Sequence, residues 1–183
     1  MKILITGASG FVGSAITKSL IAKGVPLYVL ARKGSDLDPA LNNCELDFDN
    51  IINGNQTLPN DCSTIIHCAG ITRIKKNKKT DPLTEYMTIN RDLTLNLAKV
   101  AARASIKRFI FISSIKVNGN FTKKNIPFSE NSKIKPVDFY ALSKYEAEKG
   151  LSEISRKTGL ETIIIRPPLV YGPGVGSNFS RSD

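Results

Sequence analysis

The chain has 183 residues, 41% of them hydrophobic and 23% charged, enough to bury one sizeable core and not comfortably two. A formal net charge of +10 raises the question of a polyanionic partner, but much of the excess sits in 73–79 and at Lys123-Lys124, in expected loops without interleaved aromatics, and reads as a solvated face. No apolar run approaches the ~20 residues of a membrane span, and the stretch behind Lys2 is too short for a secretion signal, so a cytoplasmic protein with no membrane span and no nucleic-acid partner is expected.

The first expected strand is Lys2-Ile3-Leu4-Ile5-Thr6. Behind it come Gly7-Ala8-Ser9-Gly10-Phe11-Val12-Gly13 and an amphipathic helix over Ser14–Lys23. Strand, glycine-rich turn and helix in that order make a phosphate cradle. Glycine leaves no Cβ between backbone and pyrophosphate, and the helix N-terminus offers free N–H groups and partial positive charge. Gly7, Ser9, Gly10, Phe11, Val12 and Gly13 are therefore candidate cofactor-binding residues. The spacing is G-x-x-G-x-x-G, not the G-x-G-x-x-G of the commonest dinucleotide folds.

Leu27–Ala31 is the next short apolar run, followed by Arg32-Lys33. A weaker strand is expected over Cys44–Asp47, followed by Phe48. Thr64–Cys68 reads as a buried strand leading to Ala69-Gly70. Pro82–Ser105 carries apolar residues at helical spacing, with Asp81 as N-cap and proline in the first helical position. Arg108–Ser113 is a strand ending in Ser113-Ser114. Val137–Thr158 is a helix closed by Gly159, and Glu161–Arg166 is a last buried strand leading to Pro167-Pro168. Strands alternating with helices predict an α/β, Rossmann-type doubly wound parallel sheet with helices on both faces. In such a sheet ligands bind beyond the C-terminal strand ends, where the polar and glycine-rich residues cluster.

Tyr140 and Lys144 stand four residues apart, on one face of the expected helix. A phenol titrates near pH 10 in water, and a neighbouring ammonium stabilises the phenolate. Tyr140 is thus a candidate general acid or base for a carbonyl–alcohol pair, with Lys144 tuning it and able to hydrogen-bond a ribose. Ser114 can offer a hydroxyl to a substrate oxygen. His67 lies inside a strand and reads as structural. Cys44, Cys62 and Cys68 read as buried thiols in a reducing compartment; they lack metal-site spacing, and no Ser-His-Asp set is present.

Together these segments resemble the extended short-chain dehydrogenase/reductase family, in particular its nucleotide-sugar (UDP-glucose 4-epimerase-like) epimerases, dehydratases and reductases. The resemblance runs over essentially the whole chain. Gly7–Gly13 matches the family's glycine turn, and His67-Cys68-Ala69-Gly70 resembles the fourth-strand motif that lines the cofactor. Asn90 sits in a segment like the family's helix-bending asparagine motif. Phe111–Gly119 resembles the strand and loop with the catalytic Ser or Thr, which assigns that role to Ser114. Tyr140 and Lys144 match the catalytic pair, and Arg166–Gly174, including Pro167, is similar to the segment running past the nicotinamide.

The resemblance implies NAD(P) as cofactor and hydride transfer at a sugar carbon, as epimerase or 4-keto reductase, on a UDP- or dTDP-sugar. Arg32 stands where NAD-preferring members tend to carry an acid, which favours NADP modestly, and Asp47-Phe48 would flank the adenine. Asn118 stands where many epimerases have Tyr, which points toward enzymes of surface-polysaccharide sugars. Family members often dimerise through two long helices, here Pro82–Ser105 and Val137–Thr158. They also continue well past the Tyr171-Gly172-Pro173-Gly174 segment. The expected organisation is one NAD(P)-binding domain over 1–183, with 167–183 beginning a truncated or missing substrate-binding region. Two rival readings remain: a catalytically silent NAD(P)-binding fragment or sensor, and a nucleic-acid binder built on the net charge.

Overall fold

The computed structural model of the chain describes residues 2–32, 42–46, 48–74, 80–122 and 124–172. Most of the basic runs at 75–79 and 123, the residue Asp47, the side chains of Arg32, Cys44 and Phe48, and residues 173–183 lie outside this description.

Six strands form one sheet: β1 (Lys2–Thr6), β2 (Leu27–Arg32), β3 (Asn42–Leu46), β4 (Cys62–His67), β5 (Arg108–Ile112) and β6 (Glu161–Ile165). They lie in the order β3-β2-β1-β4-β5-β6, and every neighbouring pair is parallel. The order reverses at β1, so the crevice between the C-terminal ends of β1 and β4 is the switch point where this topology binds ligands.

The helices are α1 (Phe11–Ala22), α2 (Phe48–Ile52), α3 (Pro82–Tyr86), α4 (Leu93–Arg103) and α5 (Phe139–Thr158). One sheet face presents Leu4, Leu30, Ile65, Phe109 and Phe111 to Leu93, Leu97 and Ala101 of α4 and to Ala147, Leu151 and Ile154 of α5. The other presents Ile5, Val29 and Ile66 to the α1 side chains Ile16 and Leu20. Each fully buried aliphatic or aromatic side chain contributes about 1.5–3 kcal/mol, so this two-faced burial fixes the register of the central strands.

The expected helix Pro82–Ser105 has an internal break in register. Asp81 Oδ2 accepts from the Thr84 N–H at 2.9 Å and starts α3. Met87–Asp92 then forms a π turn before α4 resumes. Such turns widen the backbone ladder by one residue and recur at functional sites. The expected α5 begins later than Val137, because Asp138 is the cap: its Oδ1 accepts from the Ala141 N–H at 2.7 Å. Gly159 closes α5 with a left-handed φ of 77°.

The last strand departs from its expected burial. It forms the sheet edge, and Ile163 and Ile165 are 36% and 44% exposed. They share a face with Ile110 and Ile112, at the opposite end of the sheet from β2 and β3.

Candidate active site

The glycine turn is built by close approach. Gly7 has a φ of 72°, and a Cβ there would stand 2.6 Å from the Ala69 nitrogen. A Cβ at Gly13 would stand 2.1 Å from the Gly7 carbonyl oxygen. Any side chain at either position therefore collides with backbone. Gly10 donates to Gly7 O at 2.9 Å and is the extended N-cap of α1, with no side-chain cap on the helix. The first turn of α1 begins at Phe11-Val12-Gly13 without a side-chain cap, directly behind the exposed Ser9 and Gly10. This cradle fits a pyrophosphate.

Gly7 meets Cys68 and Ala69 directly, so the end of β4 forms the second wall. At Gly70 a Cβ would stand 2.9 Å from Asn90 Oδ1 and 3.2 Å from Lys144 Nζ. Asn90 is fully buried in the π turn. Its Oδ1 accepts from Ile71 N–H at 2.8 Å, and its Nδ2 donates to Ile71 O and to Ser143 Oγ, each at 3.0 Å. The broken helix thus pins the segment after β4 against α5. Lys144 donates to Ile112 O at 3.0 Å and lies over the Phe111 ring at 4.6 Å.

Ser114 follows β5 and caps the short turn Ile115–Val117. Its hydroxyl acts on the Tyr140 phenol and favours the phenolate. The Tyr86 ring meets Tyr140 edge-on at 6.2 Å, and Lys116 Nζ stands 6.0 Å from the Tyr140 ring while pairing with Asp138 Oδ2 at 2.6 Å.

Burial dominates the site's electrostatics. It raises the Tyr140 phenol above its ordinary value; Ser114 opposes that rise, and Asp138 and Tyr86 add to it. Burial lowers Lys144 to about 8, with Cys68 and Glu148 acting in the opposite direction. The phenol's shift is upward, and Ser114 is the neighbour that offsets it, while Lys144 is directed to Ile112. Burial also raises the Cys68 thiol to about 11, which makes it inert at neutral pH. His67 is structural: it is 1% exposed, bonded to Thr6 and Thr94, and pushed down to about 3 by burial.

Gly7, Ser9, Gly10, Phe11, Val12, Gly13, Cys68, Ala69, Gly70, Ser114, Tyr140, Lys144 and Pro167 all follow C-terminal strand ends or face them from α1 and α5. Pro167 joins through its carbonyl, which accepts from Ile115 N–H at 3.0 Å. Arg32 closes β2 instead of following it, and Phe48 opens α2. Sequence reasoning missed Tyr86, the Lys116–Asp138 pair and the buried Glu148–Arg166 pair. Glu148 did carry a signal: it continues the spacing of Tyr140 and Lys144, so a carboxylate falls on the buried face of α5.

Residues 3–183 match the family model described as the NAD dependent epimerase/dehydratase family. The UDP-glucose 4-epimerase of Vibrio cholerae is 41% identical over 187 residues, covering 98% of this chain and 55% of that protein. A putative UDP-glucose 4-epimerase of Methanocaldococcus jannaschii is 29% identical, covering 93% of this chain and 56% of its own length. Among solved structures, the UDP-glucose 4-epimerase of Thermotoga maritima with UDP-glucose superposes with a TM-score of 0.78 at 24% identity, covering 94% of this chain and 57% of that one. The UDP-glucuronic acid 4-epimerase of Bacillus cereus in complex with NAD gives 0.74 at 24% identity, covering 94% and 58%. The chain therefore spans about half the length of these relatives.

Proposed function

From the premise that the chain belongs to the NAD dependent epimerase/dehydratase family, we propose that it is an NAD(P)-dependent nucleotide-sugar epimerase or 4-keto reductase acting at a sugar carbon. One observation carries the reading: Ser114 just after β5 and Tyr140 in the first turn of α5 lie at the strand ends where Lys144 stands beside Gly70, next to the glycine cradle. Gly7, Gly10, Gly13 and the start of α1 would hold the pyrophosphate. Ala69 and Gly70 would line the dinucleotide, and Lys144, with N–H groups to spare beyond its bond to Ile112, would hold the ribose. When bound, the nicotinamide supplies the hydride exchange. Tyr140 would move the proton at the sugar oxygen. Ser114 would orient that oxygen and steady the phenolate.

The substrate is proposed to be a UDP- or dTDP-sugar, in a cytoplasmic route to surface polysaccharide. The Bacillus cereus structure holds NAD, so the modest preference for NADP rests on Arg32 alone. Residues 167–183 are proposed to begin the substrate-binding region, and the exposure of Leu169 and Tyr171, at 57% and 76%, supports this. A homodimer through the long helices is supported by an open groove between α4 and α5, floored by Leu95, Ala102 and Ile154 and rimmed by Lys99, Glu153 and Lys157. Light scattering reads it: twice the chain mass is expected, and a single-chain mass contradicts it.

The catalytic assignment is tested by turnover of UDP- and dTDP-sugars with NAD or NADP. Tyr140→Phe is expected to lower kcat by about a hundredfold to ten-thousandfold while dinucleotide affinity holds. Unchanged turnover refutes the role of Tyr140. Tight dinucleotide binding by the unsubstituted chain without any turnover points to the alternative, a catalytically silent binding module.

A further inference from the structure

Glu148 lies four residues past Lys144, on the face that α5 buries, and its side chain is 4% exposed. A carboxylate withdrawn from water is tolerated only where its charge and lone pairs are met. Both oxygens are met here. Oε1 accepts from the Ser113 hydroxyl and from Arg166 Nε at 3.0 Å, and Oε2 accepts from Arg166 Nη2 at 2.6 Å. Arg166 Nη1 continues to Asn118 Oδ1 at 3.3 Å, and Asn118 Nδ2 donates to Ser132 O at 3.0 Å.

These groups come from the segments that carry the site. Ser113 precedes Ser114, Arg166 precedes Pro167, and Glu148 shares α5 with Tyr140 and Lys144. The backbone around Ser114 is tied toward β6 on both sides, by Ser113 N–H to Ile165 O at 2.7 Å and Ile115 N–H to Pro167 O at 3.0 Å. The Glu148–Ser113 bond is the tie toward α5. Packing alone does not call for this arrangement, because apolar residues can replace a buried ion pair with little loss of stability.

We propose that Glu148 is a positioning residue: through Ser113 and Arg166 it holds the end of β5 so that the Ser114 hydroxyl meets the Tyr140 phenol. The inference rests on the reading of Ser114 and Tyr140 as the reacting pair. Its sign separates it from a simple charge effect. Removing a nearby negative charge eases ionisation of a phenol and moves its midpoint down. Letting Ser114 drift takes a hydrogen-bond donor from the phenolate and moves the midpoint up.

The test is NMR titration of the whole chain labelled with carbon-13 at the tyrosine ζ carbon, with Tyr140 assigned by its loss in Tyr140→Phe. Ser114→Ala is expected to raise the Tyr140 midpoint by about one unit. Glu148→Ala is expected to raise it likewise, and the double variant to rise no further than Ser114→Ala alone. An unmoved or lowered midpoint in Glu148→Ala overturns the proposal, as does a rise that adds in full to that of Ser114→Ala. Should Glu148→Ala fail to fold, Ser113→Ala cuts the same tie and leaves the Glu148–Arg166 pair in place; a rise supports the proposal and no rise overturns it. The titration reads geometry and the turnover of Tyr140→Phe reads chemistry, so each can fail without the other.

Discussion

Lowering the pH should destabilise the fold through one buried imidazole. His67 sits between two hydroxyls: Nδ1 is 2.7 Å from Thr6 Oγ1 and Nε2 is 2.9 Å from Thr94 Oγ1. Thr94 donates its own proton to Asn90 O at 2.8 Å, so it accepts from Nε2–H, and Nδ1 is left to accept from Thr6. Protonating Nδ1 would break that pattern and place a cation against Phe109 and Phe111, within the field of Lys144. Burial accordingly lowers His67 from 6.5 to about 3. Above about pH 6.5 the imidazole is neutral folded and unfolded, and its contribution is intact. Between about 6.5 and 3 the unfolded chain takes up a proton that the fold refuses, so stability falls as pH falls. At about pH 4.5 the loss is roughly 3 kcal/mol, a large fraction of a typical domain's stability. Urea denaturation at about pH 8 and about pH 4.5 measures it. His67→Gln, neutral at both, should lose less over that interval by about this amount, since carboxylate contributions cancel in the comparison. Equal losses in the two proteins would refute the argument.

Gly13→Ala puts a Cβ 2.1 Å from the Gly7 carbonyl oxygen, and overpacking of that kind costs about 1–3 kcal/mol. Calorimetric titration should show dinucleotide affinity falling roughly tenfold to a hundredfold. Gly24→Ala, whose Cβ meets nothing within 4 Å, should lose some stability through its left-handed φ of 67° and keep that affinity; equal losses of affinity would remove the cradle argument. The same titrations on the unsubstituted chain read the cofactor choice, with tighter NADP than NAD expected from Arg32 and the reverse order contradicting it.

The central strands were legible because continuous apolar runs such as Leu4-Ile5 and Phe109–Phe111 have one solution in a parallel sheet, burial on both faces. Gly7, Gly13, Tyr140 and Lys144 were legible because their chemistry is local: a turn needing no Cβ, and a helix face. Ile163 and Ile165 misled because their composition is that of a buried strand, while their exposure belongs to the sheet face they share with Ile110 and Ile112, and composition does not say which face a helix covers. Spacing places Glu148 on the buried face of α5, but the partners of Asn90 and Glu148, Ser143 for one and Ser113 and Arg166 for the other, lie far along the chain, and helical periodicity does not name them. The five-residue α2 is too short to show a period at all. Tyr140 shows what spacing does not carry: burial raises its phenol and Ser114 opposes that rise, and both follow from packing around α5, not from the interval to Lys144.

The most direct measurement is the near-ultraviolet absorbance of reduced nicotinamide when a UDP-sugar is added to the chain loaded with oxidised dinucleotide. A rise is expected in the unsubstituted protein and its loss in Tyr140→Phe, with the dinucleotide bound in both. A flat trace from the loaded, unsubstituted protein across UDP- and dTDP-sugars, or a rise that survives Tyr140→Phe, would contradict it.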